Sequence, residues 1–266
     1  MTKPAAAATP YPEINSVLQE LLSGVRALLG RRFVGMYLDG SLAIGDFEPD
    51  KSDLDFVVVT DGELSAQTFR DLKTLHERIA TGASKWTKEL EGSYIPQRAL
   101  RHDRRPAAHP YIDRGSTLAM VHPESGYWVI HRHMLREHGV VLTGPPPRTL
   151  IDPVAPDELR EAVLGILREW WMPMLVHAPL LHNSFYRCYA ILTMLRMLYT
   201  LRHGAIVSKP VAARWAEEAL ERRWTPLIRD ALAWARDVPP DLTETLGFIR
   251  YTCEYGDHME TGGDRE

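Results

Sequence analysis

Apolar residues at Ile14, Leu18, Leu21, Leu22, Val25, Leu28 and Leu29 recur at three-to-four spacing, which predicts an amphipathic helix over Ile14 to Leu29. The apolar run Phe33 to Leu38 follows Arg31-Arg32 and reads as a buried strand, broken by Asp39-Gly40-Ser41. Leu42 to Phe47 fits either a short helix or a loop, and Glu48-Pro49-Asp50-Lys51 carries turn chemistry. The β-branched run Leu54 to Thr60 predicts a second strand, Ser65 to Ala80 a second helix, and Leu90 to Ile95 a third strand bounded by Pro96.

Arg98 to Pro123 shows no period and is rich in Arg, His and Pro, so it is expected to be a long functional or mobile loop. Helical spacing returns over Tyr127 to His138. Gly144-Pro145-Pro146-Pro147 is the strongest punctuation in the chain and sets the expected boundary between a domain at 1–147 and a domain at 148–266. Beyond it every long segment reads as helix. Asp157 to Trp171 places Leu159, Val163, Ile166, Leu167 and Trp170 on one face, and Ser184 to Arg202 stops at Gly204. Lys209 to Arg222, Pro226 to Arg236 and Leu242 to Tyr255 complete the set, with Trp170, Trp171 and Met172 to Met174 expected to pack between helices. The expected fold class is therefore α+β, a first half of strands and helices followed by an all-α helical bundle. The proline- and alanine-rich start and the polar tail from Gly256 are expected to be loose ends.

Composition narrows the classes. A length of 266 residues suits one large domain or two modest ones, and 45% hydrophobic with 25% charged residues excludes wholesale disorder. Lys plus Arg total 31 against 35 Asp plus Glu, a net charge of -4, which argues against a nucleic-acid-gripping role. Cys188 and Cys253 lie too far apart in sequence for a disulfide framework or a four-sulfur zinc site. The start lacks a secretory apolar core and no run approaches the roughly 20 residues of a membrane span, so a cytoplasmic protein without a membrane partner is expected.

Candidate chemistry concentrates between Val34 and Thr60. Gly40-Ser41 ends one apolar strand, and Asp53-Leu54-Asp55 opens the next. The i, i+2 spacing puts both carboxylates on one face of an extended segment. Two like charges held together become favourable once a hard divalent cation sits between them. Gly40 permits close backbone approach and Ser41 adds a hydroxyl and an N–H, a combination suited to phosphate. Either half alone is common structural chemistry; both in this order between two apolar strands are far more specific.

These residues resemble the signature of the DNA polymerase β-like nucleotidyltransferase superfamily. Ser52 to Asp55, Arg136 to Pro145, Asp152 to Val154 and Lys209 to Ala216 extend the likeness to the streptomycin/spectinomycin adenylyltransferases. The resemblance implies an N-terminal nucleotidyltransferase domain with a small mixed sheet, a C-terminal helical bundle, and a site in the cleft between them. It implies Mg²⁺ on Asp53 and Asp55, ATP as co-substrate, and a catalytic carboxylate on a later strand, which Glu91 matches best with Glu89 as the alternative. By the same resemblance Gly40, Ser41, Ser52 and Lys209 bind the phosphates, while Trp234 lies near an adenine-stacking aromatic and otherwise reads as bundle core. The reaction implied is transfer of AMP to a hydroxyl of a small-molecule acceptor, an aminoglycoside in the drug-modifying members. The matching acceptor helix, Asn183 to Tyr189, carries Arg187 and no acid.

Two other readings stand beside this one. An Arg- and His-rich segment with Arg98, Arg101, Arg104 and Arg105 would suit an anionic, protein or RNA acceptor, and a non-catalytic nucleotide-binding module would keep the fold without the base. Six of the eleven histidines (His102, His109, His122, His131, His133 and His138) fall in the middle segment, without metal-ligand spacing.

Overall fold

The structure, a computed structural model, describes residues 8–102, 108–122, 125–233 and 240–260. The chain divides into two compact units: 1–124 with 131–153, and 125–130 with 154–266.

The first unit opens with helix α1 (Pro12–Leu29), its proline in the first turn and Gly30 at φ 52° ending it. Strand β1 (Phe33–Leu38) runs into the short helix α2 (Gly40–Ile44), and a turn leads to β2 (Leu54–Thr60). Helix α3 (Ala66–Ala80), capped by the Ser65 hydroxyl on the Thr68 N–H, connects to β3 (Leu90–Pro96). Helix α4 (Gln97–His102), strands β4 (His109–Ile112) and β5 (Ala119–Val121), helix α5 (Ser125–His138), β6 (Val140–Thr143) and helix α6 (Pro147–Leu150) follow. Helix α5 belongs to the second unit up to Ile130 and to the first from His131.

The six strands form one mixed sheet in the order β5-β4-β3-β2-β1-β6. Only β2 and β3 are parallel, joined through α3; the other neighbours are antiparallel. Alternation along the strands decides which side chains face the helices. Leu54, Phe56, Val58, Leu90 and Tyr94 pack with Ile14, Leu18, Leu21 and Val25 of α1 and Leu72 and Ile79 of α3. In that core the His76 ring shares a 2.7 Å hydrogen bond with the Tyr94 hydroxyl, and burial pushes the imidazole down to about 4, so it is neutral.

The expected loop over Arg98 to Pro123 is corrected: it contains α4 and two strands that widen the sheet. Pairing of Gly92 with Ile112 and Ser93 with Tyr111 creates β4, and such long-range pairing leaves no periodic signature in four residues. Strand β6 also went unpredicted, because Val140–Thr143 is too short to stand out beside the proline run.

In the second unit every described element after Val154 is helical: α7 (Pro156–Ile166), α8 (Met172–Met174), α9 (Ser184–His203), α10 (Lys209–Ala219), α11 (Thr225–Ala233) and α12 (Leu242–Glu260). Helix α9 is central to this core, contributing Ala190, Ile191, Met194, Leu195, Leu198 and Leu201. It ends at Gly204 (φ 63°), whose N–H returns to the Thr200 carbonyl, as expected of that glycine. The face predicted for Asp157 to Trp171 needs correction. A π-helical turn over Leu167–Trp171 inserts an extra residue, so Trp171 is buried while Trp170 and Met172 are exposed. The tail is also corrected: α12 continues past a buried Gly256 to Glu260. No described helix is long and apolar enough to cross a membrane.

Candidate functional site

Asp55 and Glu91 are each the second residue of their strand, and the parallel register pairs them directly. Because Leu54, Phe56, Leu90 and Tyr94 face the helices, alternation turns Asp55 and Glu91 to the opposite face of the sheet. Asp53 stands immediately ahead of β2. One carboxylate oxygen from each of Asp53, Asp55 and Glu91 lies within 4.8 Å of the others. Glu91 is thus on an inner strand, between β2 and β4, and not on a solvated edge. Glu89 lies before β3 and pairs with Arg114 at 3.5 Å, outside the cluster.

Crowding and burial shape the electrostatics. Desolvation, followed by the charges of Asp53, Glu91 and Asp39, pushes the Asp55 carboxyl well above the usual carboxylate range. Burial raises Glu91 to about 7, opposed by the Tyr111 hydroxyl, which donates a 2.5 Å hydrogen bond to its carboxylate. The Tyr111 phenol is in turn raised by its own burial and by the Glu91 charge. Oxygen-only donors repelling one another in a half-buried site suit a hard divalent cation such as Mg²⁺, which would relieve that repulsion.

The expected phosphate turn lies beside this cluster. Gly40 has φ 57°, and a Cβ there would come 1.9 Å from an Asp55 carboxylate oxygen. The clearance that glycine provides is therefore filled by Asp55, which brings the turn against the acids. The Asp39 N–H donates to the Asp55 carbonyl at 3.1 Å. The Ser41 hydroxyl is buried without a protein partner. Ser52 accepts the Glu48 N–H at 3.0 Å, closing the turn before Asp53 and leaving its own proton to donate. Lys209 is exposed at the start of α10, in the other unit, and Ser208 ahead of it makes no side-chain cap.

Sequence reasoning missed three neighbours. Tyr111 holds Glu91 but lies on β4, inside the supposed loop. Asp39 was treated only as part of a strand break, although a carboxylate ending an apolar strand was a visible signal. His131 belonged to the histidine group without a role; its Nδ1 stands 3.1 Å from Asp39 Oδ2. The proposed basic acceptor lining is otherwise engaged: Arg98 pairs with Glu63 at 2.6 Å, and Arg101 donates to the Thr149 carbonyl at 3.2 Å. Arg104, Arg105 and Trp234 lie outside the described residues. Arg187 donates to the carbonyls of Leu181 and His182 at 2.7 and 3.2 Å, beside the exposed rings of Tyr186 and Tyr189.

Comparison with known proteins matches both parts of the chain. Residues 18–97 match the nucleotidyltransferase domain family, and residues 149–244 match the aminoglycoside adenylyltransferase C-terminal domain family. An aminoglycoside (3'') (9) adenylyltransferase of Shigella flexneri is 27% identical over 230 residues, covering 82% of this chain and 84% of that protein. A spectinomycin 9-adenylyltransferase of Campylobacter jejuni is 27% identical over 229 residues, with the same coverage of 82% and 84%. The crystal structure of a spectinomycin adenyltransferase from Enterococcus faecialis with ATP and spectinomycin shares the fold. It has a TM-score of 0.72 at 18% identity and covers 91% of this chain and 98% of that one. With its nucleotidyltransferase domain followed by the C-terminal domain of the drug-modifying enzymes, the chain is an aminoglycoside adenylyltransferase-like nucleotidyltransferase.

Proposed function

We propose that this protein transfers AMP from ATP to a hydroxyl group of a small-molecule acceptor of the aminoglycoside class and releases pyrophosphate. The observation that carries this reading is the Asp53–Asp55–Glu91 cluster on the sheet face beside the Gly40–Ser41 turn. The similarity to aminoglycoside and spectinomycin adenylyltransferases along most of the chain supports the acceptor class.

Asp53 and Asp55 would hold Mg²⁺, which when bound supplies positive charge against the phosphates. Gly40 seats the turn against Asp55, Ser41 and Ser52 donate hydroxyl hydrogen bonds, and Lys209 adds a cation for the triphosphate. Glu91 takes the proton of the acceptor hydroxyl. The acceptor oxygen bonds to the α-phosphorus as the bond to the bridging oxygen breaks, and that electron pair leaves with pyrophosphate. A carboxyl raised to about 7 is well matched to general-base work near neutral pH. Much of the remaining acceleration comes from holding hydroxyl and phosphorus in line.

The test is pyrophosphate release by purified protein with Mg²⁺, ATP and a panel including spectinomycin and streptomycin. Acceptor-dependent release is expected, together with a mass increase of one AMP on the acceptor. Silence across the panel would remove the drug-modifying reading.

A further inference from the structure

We infer that Asp39 and His131 form a positioning pair that holds the Gly40–Ser41 turn in its phosphate-accepting shape. This deepens the reading above and rests on its assignment of that turn to the triphosphate. The Asp39 side chain is only 6% exposed, yet the one polar partner shown for it is His131 Nδ1, 3.1 Å from Oδ2, and its other oxygen is buried with none. Burying a carboxylate this way is costly, so its place needs a reason.

The ordinary reasons fail. Asp39 occupies the N-cap position of α2 but makes no side-chain cap bond, so it does not serve the helix as a capping residue. It is also outside the acid cluster, which among the described residues consists of Asp53, Asp55 and Glu91.

What the carboxylate does is reach from the turn to α5. The turn needs such a hold. Helix α2 has five residues, too few to be stable alone, and the Ala43 N–H to Asp39 carbonyl bond in its first turn is long at 3.4 Å. Backbone bonding fixes Asp39 to the Asp55 carbonyl on one side, while the side-chain contact fixes it to His131 on the other. Between these two anchors and the left-handed Gly40, the Ser41 hydroxyl is kept buried and unpartnered, ready to donate.

Calorimetric titration of Mg-ATP into the full chain tests the pair, with melting temperature recorded for each variant. His131→Leu removes the donor, His131→Asn retains one near the Nδ1 position, and Asp39→His with His131→Asp reverses the pair. The expected result is affinity about tenfold weaker in His131→Leu, recovered largely by His131→Asn and by the reversed pair relative to either single change. Unchanged affinity in His131→Leu, with the wild type binding normally, overturns the pair and leaves the adenylyltransferase reading standing. Recovery of melting temperature without affinity in His131→Asn also overturns it, since the contact is then only structural. Failure of the wild type to bind Mg-ATP would sink both readings.

Discussion

Asp55, Glu91 and Gly40 crowd together at the candidate site, and each makes a separate prediction. Asp55→Asn removes a crowded charge that, in the proposed function, also holds the cation. Adenylyl transfer should fall by at least about a thousandfold, as for loss of a central electrostatic group, while the melting temperature without Mg²⁺ should rise. Gly40→Ala places a methyl group against the Asp55 carboxylate at a positive φ; a loss on the order of 1–2 kcal/mol is expected by denaturant titration, together with weakened Mg-ATP binding. Glu91→Gln should abolish turnover, whereas Glu89→Gln, which breaks the pair with Arg114, should stay within about twofold, the usual reach of a partly exposed ion pair. Tyr111 lowers the Glu91 ionisation through its hydrogen bond, so in Tyr111→Phe the acid limb of the pH–rate profile should move to higher pH. The neighbourhood of Asp53, Asp55, Gly40 and Ser41 was legible in the amino-acid order because they lie within one short window. Tyr111 and His131 were not, because their partners, Glu91 and Asp39, are distant in the chain.

Helices and strands differed in how openly they announced themselves. Helices α1 and α3 and strands β1, β2 and β3 carry strong periodicity or continuous apolar runs and were predicted within a residue or two. Strands β4, β5 and β6 have three or four residues each and exist because a neighbouring strand offers an unpaired edge. The π-turn over Leu167–Trp171 shows a second kind of failure: a fixed 3.6-residue period assigns Trp170 to the core, and one inserted residue gives the place to Trp171. Comparison of Trp171→Ala with Trp170→Ala by urea unfolding checks this. The first should cost about 3–5 kcal/mol and the second under about 1.

Over the whole protein the crowded acids act against stability once they ionise. Asp55 and Glu91 ionise in the folded chain above the usual carboxylate range, Glu91 at about 7, so the folded state holds those protons more tightly than the unfolded chain. The Glu91 contribution is complete below the ordinary carboxylate range and is lost as pH rises through about 7, and Asp55 contributes with the same sign. His76 has the opposite sign: lowered to about 4, it contributes above its ordinary value and that contribution is lost as pH falls toward 4. The difference in melting temperature with and without Mg²⁺ cancels His76. It should be near zero at about pH 5 and grow steadily to about pH 8, and Asp55→Asn should flatten it.

From the order of its amino acids alone this protein shows a mixed first part, a helical second part and a paired-aspartate window, since local spacing encodes strands, helices and an i, i+2 pair of carboxylates. Three matters depended on the folded chain. Glu91 stands opposite Asp55 and Glu89 does not, because parallel pairing of β2 with β3 sets that register. Tyr111 tunes Glu91 because β4 adds to the sheet beside β3. His131 meets Asp39 because α5 returns to the first unit, a contact across ninety-two positions that no local pattern encodes.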